Sequence, residues 1–593
     1  MSKVGDLKQR LLAQVRATAG VVYGRDWGED LFSLALPPDI QLGDFAAPCF
    51  LLARELGQSP GLVAQAIAAR LPQSDSILSA QASGPYVNLK LSNRAFFSAA
   101  AEGTSEPLSV GAGERVMVEY LSPNTNKPLH LGHMRNGMLG MAVGNILTVT
   151  GHQVILANLI NDRGVHICKS MWAYQHYGQD QTPASVGMKG DHFVGEMYVF
   201  FAELAKEEAG LEDKVQQMLR AWEAGDETVV ALWRQMNEWV YEGFAATYAT
   251  LGLRFDQFYY ESETYKLGKD IVAAGLARGV LADEDGQITA EVPAVVYERV
   301  RSQKKKPDEP VPEKEPKKIT LLRKDGTSLY MTQDLGTAVR KFEEYGLTRS
   351  VYVVGREQDF HFKSLFSILG QLGYDWAPRC YHLSYGMVYL PEGKMKSREG
   401  TVVDADQLVE DMTELARQEI EKRVQGLSAA ELARRARAIA LAAIKFYLLH
   451  QSPNLDIHFD PKKSLSFEGT TGPYCQYAYA RAKSILRKAG AAPEAADVDF
   501  NLLGSDEERA LAGQLLEYED VLIRASREYN PVAVCNWLYE VGKAFNQFYH
   551  TSQVVGTTVS PALTGARLVL VQAAADALKR GLEILGIEAI EEM

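Results

Sequence analysis

Between residues 115 and 133 the chain passes from an apolar stretch, through a turn, into a glycine-containing helix start bearing two histidines three apart. That order commits it to a strand–turn–helix unit. Residues 115–120 read as a buried strand, Ser122-Pro123-Asn124 as a turn, and His130-Leu131-Gly132-His133 as the mouth of a helix. A helix start beside a strand end offers unpaired N–H groups and the positive end of the helix dipole, which suit an anion. Gly132, lacking a Cβ, lets a flat ring lie against the backbone. The imidazole N–H groups of His130 and His133 can donate to oxygens on which charge builds. From these two residues alone, a pair of histidines that caps the helix or binds a metal is the favoured reading.

Strand, loop and helix alternate from there to about residue 410, most clearly at residues 350–355 followed by a helix over 360–372. This predicts an α/β fold with a doubly wound parallel sheet and ligands at the carboxyl ends of its strands. An insertion is expected at about 185–320, mostly helical to about residue 300. Within it the Lys, Glu and Pro run of residues 304–318 reads as a solvated loop. Residues 1–110 read as a small α+β domain, 111–427 as the parallel-sheet domain and 428–593 as an all-α domain.

A Gly-bounded basic loop, Gly393-Lys394-Met395-Lys396-Ser397-Arg398-Glu399-Gly400, comes far downstream. Its lysines can neutralise a leaving pyrophosphate, although a short basic loop by itself is more often a surface turn. In this order and on this scaffold, His130-Leu131-Gly132-His133 resembles the HIGH motif of class I aminoacyl-tRNA synthetases, and Lys394-Met395-Lys396-Ser397 resembles their KMSKS loop. The flanking residues resemble arginyl-tRNA synthetases in particular. Glu119, Ser122-Pro123-Asn124, Lys127, His130, Gly132, His133 and Arg135 match that family's first motif. Tyr330-Met331-Thr332-Gln333-Asp334 matches YxTxD, and Gln358-Asp359-Phe360-His361 matches QxxH. Residues 467–481 match FEGxTGPYxQYxYAR. The likeness spans nearly the whole chain. One departure stands out: the second lysine of the loop, Lys396, is third rather than fourth, and the resemblance implies that Lys127 takes its place.

The resemblance implies a class I Rossmann-type catalytic domain with helical insertions. An N-terminal domain would touch the tRNA elbow, and a C-terminal all-α domain would bind the anticodon. The implied reaction joins L-arginine to tRNA(Arg) using ATP with Mg²⁺. His130, His133, Lys127 and Lys394 would be catalytic, and Gly132, His361, Lys394, Lys396 and Ser397 would hold ATP. Glu119, Asn124, Glu261, Tyr330, Asp334 and Gln358 would hold arginine. Tyr86, Asn88, Tyr474, Tyr477, Arg481, Tyr549 and Met593 would meet tRNA. A monomer is expected.

Composition excludes little. A net charge of −13 disfavours a general nucleic-acid binder, yet one basic face is enough to grip one RNA. The five scattered cysteines form no CxxC pair, so neither a structural metal nor disulfides are expected, and a cytoplasmic location fits. No apolar run is long enough to span a membrane. Two alternatives are another class I synthetase, such as the cysteinyl enzyme with its zinc ligands, and an inactive RNA-binding paralogue.

Overall fold

The computed structural model describes residues 3–102, 108–294, 316–390, 403–490 and 492–593. Near the N-terminus, β1 (Phe45–Pro48), β2 (Ile77–Ser83) and β3 (Tyr86–Leu91) form an antiparallel sheet with β3 in the middle. Helices Lys3–Tyr23, Pro60–Ala68 and Asn93–Glu102 accompany it.

The central sheet contains β4 (Arg115–Glu119), β5 (Gln153–Ile160), β6 (Gln257–Tyr260), β10 (Arg349–Gly355) and β11 (Cys380–Tyr385). Its order is β11-β10-β4-β5-β6, and every neighbouring pair is parallel. Covered on both faces, such strands need apolar residues in succession. Val116, Met117 and Val118 are all fully buried, each contributing about 1.5–3 kcal/mol of burial free energy. From β4 the chain steps to β5 and β6 on one side, then returns to build β10 and β11 on the other. The strand order reverses between β4 and β10, so the loops after those two strands flank a crevice.

The insertion has a mixed structure. Helices Gly190–Glu207, Leu211–Ala224 and Glu227–Leu251 lie between β5 and β6. Beyond them, β7 (Ala282–Glu284), β8 (Gln287–Val292) and β9 (Lys317–Leu322) form an antiparallel sheet, where a mostly helical segment was expected. β7 and β8 turn through Asp285 and Gly286, both at positive φ. An Asp-Gly pair of this kind is a hairpin signal, but strands this short and polar carry little pattern. Of the charged run, residues 304–315 lie outside the described residues, and Lys317 and Lys318 begin β9 instead of continuing a loop.

The C-terminal part is helical, from Ala429–Leu449 to Pro561–Ile584, with β12 (Val388–Tyr389) and β13 (Ile457–His458) pairing across to the catalytic part. The N-terminal sheet docks onto these helices through a buried ion pair: Arg509 Nε and Nη2 donate to the two oxygens of Asp44 at 2.9 and 2.6 Å.

Candidate active site

The turn after β4 stores strain. Leu121 and Ser122 adopt φ of 78° and 45°, a conformation costing about 1–2 kcal/mol per L-residue. Two buried asparagines hold it. Leu121 N–H donates to Asn136 Oδ1 at 2.6 Å, and Ser122 N–H to Asn158 Oδ1 at 3.1 Å. Asn136 Nδ2 then donates to the Val353 carbonyl at 2.8 Å, tying the turn to β10.

The strained turn leads into the two histidines. His130 is the N-cap of helix Leu131–Val149, its Nδ1 accepting Gly132 N–H at 3.1 Å. His133 Nδ1 accepts His130 N–H at 3.2 Å, and the two rings lie 3.8 Å apart. With each Nδ1 acting as acceptor, the proton of a neutral ring sits on Nε2. Neutral they are: burial, aided by the charge of Lys127, pushes His130 down to about 4 and His133 well below its ordinary value. Helix capping and hydrogen-bond donation are thus one arrangement, in which Nδ1 caps the helix and Nε2–H is left to donate. Lys127 is itself half-buried, which lowers its ammonium, and no acid pairs with it among the described residues.

Arg135 is 1% exposed and gathers carbonyls. It donates to Gly386 O at 2.6 Å and Pro453 O at 2.9 Å. Leu131 N–H donates to Val403 O at 2.9 Å, and Ala405 N–H to Leu129 O at 3.0 Å. The chain before residue 391 and the chain after 402 are therefore both tied to the His130 helix. Lys394, Lys396 and Ser397 lie outside the described residues.

Acids gather at the neighbouring strand ends. Glu261, 7% exposed, opens the short helix Glu261–Thr264 after β6. Burial pushes its carboxyl up to about 7, with Asp162 and Asp334 adding to the rise and Arg163, 3.9 Å away, opposing it. Asp334 lies one turn after Tyr330 on helix Tyr330–Tyr345, and Tyr330 is 74% exposed. His361 Nε2 donates to Asp334 Oδ2 at 2.5 Å, so a residue expected beside ATP touches the expected arginine seat. Acidic groups close enough to raise the Glu261 carboxyl make a seat for a cation. Asn124 and Gln358 are exposed at the crevice mouth. Glu119 is buried and paired with Lys341, whose ammonium lies 5.2 and 5.1 Å from the Tyr259 and Tyr352 ring centres.

On the helical part, the Arg481 guanidinium carbon lies 4.5 Å from the Tyr477 ring centre and 4.8 Å from that of Tyr549. Asn546 fixes it, accepting from Arg481 Nη1 at 2.6 Å and donating to the Tyr474 hydroxyl at 3.0 Å. Tyr474, Tyr477 and Arg481 line a groove of about 1000 Å³ with Lys422, Arg423 and Phe467. Met593 packs against the core. In the N-terminal sheet Tyr86 is exposed beside Phe50, whereas Asn88 is 4% exposed. Asn88 lies in the middle strand, on the face it shares with Tyr86 and opposite the core-facing Val87 and Leu89.

Three family models match successive parts of the chain. "Arginyl tRNA synthetase N terminal domain" matches residues 6–91, "tRNA synthetases class I (R), catalytic domain" 101–460, and "DALR anticodon binding domain" 475–593. The Treponema denticola arginine–tRNA ligase is 41% identical over 581 residues, covering 95% of each chain. This chain belongs to the arginyl-tRNA synthetase family. The Porphyromonas gingivalis arginine–tRNA ligase is 39% identical over 99% of each chain. The solved Thermus thermophilus arginyl-tRNA synthetase superposes with a TM-score of 0.80 at 28% identity, over 99% of this chain and 100% of that one.

Several residues that shape this arginyl-tRNA synthetase site carry no motif. Asn136 and Asn158 are polar positions in otherwise apolar elements, and that is their one signal in the sequence, while Asp162 in a loop and Lys341 on a polar helix carry none. Asp162 is 1% exposed and accepts from Ser262 N–H at 2.8 Å, Ser262 Oγ at 2.7 Å and the Tyr241 hydroxyl at 2.8 Å. It thereby fixes the start of the Glu261 helix. Asp162→Asn loses the charge behind these bonds, worth about 1.5–3 kcal/mol each. The expected result is an arginine KM raised about tenfold with the ATP KM unchanged, measured by steady-state pyrophosphate exchange.

Gly132 meets the His130 ring rather than open space. A Cβ there would lie 3.0 Å from Cε1 and 3.1 Å from Nδ1. Gly132→Ala is expected to push the imidazole off its cap and lower the exchange kcat about tenfold, with a far-ultraviolet circular dichroism spectrum like the wild type's. Among the described residues one group, Asp191, His192 and Asp406, has the spacing of metal ligands. The Lys189 ammonium already sits against its two carboxylates.

Proposed function

We propose that this arginine–tRNA ligase activates arginine at the crevice between β4 and β10. The observation that carries the assignment is the buried Glu261 set against Asp334, a seat for a guanidinium, at strand ends adjoining the neutral imidazole pair. Planar acceptors favour a guanidinium over an ammonium, and a site built around buried acids rejects neutral analogues.

The arginine carboxylate attacks the α-phosphorus of ATP in line. The new O–P bond forms as the bond to the bridging oxygen breaks, and the electron pair leaves on pyrophosphate. Magnesium enters with ATP, as substrate. His130 and His133 donate through Nε2–H to the phosphate oxygens, and the Lys127 ammonium offsets the growing charge. The resemblance gives Lys394 a second charge on pyrophosphate, and both ends of its segment are tied to the His130 helix. The 2′-hydroxyl of the terminal adenosine then attacks the arginyl carbonyl and AMP leaves. No side chain forms a covalent intermediate. Unpaired anticodon bases would stack on Tyr477, Tyr549 and Arg481. The five cysteines are free and buried, in keeping with a reducing cytoplasm; the proposed working unit is the monomer.

Amino-acid-dependent ATP–pyrophosphate exchange, run with and without tRNA(Arg), tests the reading. Arginine should drive it. Exchange driven by cysteine or glutamine, or none with arginine plus tRNA, would sink the assignment.

A further inference from the structure

The helical insertion reaches the paired histidines from behind. Glycines bring its helices together: a Cβ on Gly190 would lie 2.0 Å from the Trp239 carbonyl oxygen, and one on Gly243 2.3 Å from Asp191 Oδ1. This close approach sets Lys189, at the start of helix Gly190–Glu207, and Thr247, on helix Glu227–Leu251, against the first turn of helix Ala405–Glu421. The Lys189 ammonium donates to Asp406 Oδ2 and, at 2.5 Å, to the Thr247 hydroxyl. It also lies 3.2 Å from Asp191 Oδ2. The Thr247 hydroxyl donates to Asp406 Oδ1 at 3.0 Å. His192 Nε2 lies 3.3 Å from Asp406 and 3.5 Å from Asp404.

The clamped stretch is the one that pairs with the backbone of His130. Asp404 and His130 form a β-bridge, flanked by the Leu131–Val403 and Ala405–Leu129 hydrogen bonds. On the other flank, a Cβ on Gly195 of the same insertion helix would lie 2.8 Å from Pro128 Cδ. An N-cap side chain takes its direction from its own backbone, and here that backbone is held through residues 403–406.

We infer that Lys189, acting through Asp406 and Thr247, positions the His130 imidazole for the phosphate step. The inference rests on the proposed role of His130 as a donor to ATP. Lys189, Asp406 and Thr247 are positioning residues and touch no reacting atom. Without the Lys189 ammonium, Asp191 and Asp406 face each other as like charges and drive the 403–406 stretch off its register.

The test uses full-length Lys189→Met, Asp406→Asn, their double variant and the near-isosteric Thr247→Val. Arginine- and tRNA-dependent exchange is measured per active site, counted by bound arginyl-adenylate, so that misfolded protein is not scored as slow enzyme. Lys189→Met and Asp406→Asn should each lower kcat by about 10- to 30-fold, leave the arginine KM within about twofold, and combine with no further loss because they act as one unit. Thr247→Val should lower kcat at least about threefold, and it decides the matter if Lys189→Met does not fold. Per-site kcat within about twofold of wild type in every folded variant would overturn the inference, as would a loss carried by the arginine KM. A wild type that fails to exchange with arginine overturns the functional reading and this inference with it. A normal wild type beside unimpaired variants overturns this inference alone.

Discussion

Lys127→Ala is expected to slow adenylate formation by about 100- to 1000-fold, with much smaller changes in the arginine KM. The two imidazoles beside it donate hydrogen bonds but bring no net charge, because burial holds both below neutrality. Lys127 has no acid to neutralise it among the described residues, and it is half-buried, so its field is poorly screened. Ground-state ATP reaches the site already partly neutralised by magnesium. The added charge matters most as the bond to pyrophosphate breaks, which puts the loss in kcat. Removing the Lys127 charge also relieves one of the causes that depress His130 and His133, but desolvation is the larger cause and remains. The pH profile of the variant should therefore keep its shape above about pH 6. Single-turnover adenylate formation in the presence of tRNA checks this. A near-normal rate would remove Lys127 from the mechanism.

Asp334→Ala should act at the other end of the substrate, raising the arginine KM by about 100-fold or more while the ATP KM moves less than about threefold. Breaking one side of a desolvated, hydrogen-bonded charge pair costs about 3–5 kcal/mol. Equal losses in arginine and ATP would refute its place in the guanidinium seat. The same pair makes a pH prediction. Glu261 is raised to about 7, so its carboxyl is largely protonated below that pH and cannot pair with a guanidinium. Arginine affinity in the wild type should strengthen as pH rises through about 7 and level off above it. Asp334 is one cause of the rise, so Asp334→Ala should move the transition in KM to lower pH. Measuring the arginine KM from about pH 6 to 8.5 in both proteins tests the coupling. An unshifted transition would mean that the two acids do not share a seat.

Much of this molecule was legible in the amino-acid order because its chemistry is carried by contiguous residues. The strand at residues 115–120, the turn and the paired histidines lie within one short stretch, and local pattern is enough to mark each of them. The YxTxD spacing puts Tyr330 and Asp334 one helical turn apart for the same reason. Folding in space decided what local pattern cannot carry. The proton on His130 sits at Nε2 because a backbone N–H occupies Nδ1, and the ring is neutral because the crevice excludes water. Glu119 is paired with Lys341, and Asp162 with Ser262, across separations at which sequence periodicity has lost all information. Asn88 is covered between its cross-strand neighbours Ala46 and Gln81, which only the folded sheet supplies. Hydrogen-bond geometry and ionisation depend on distance and desolvation, and neither exists until distant segments have met.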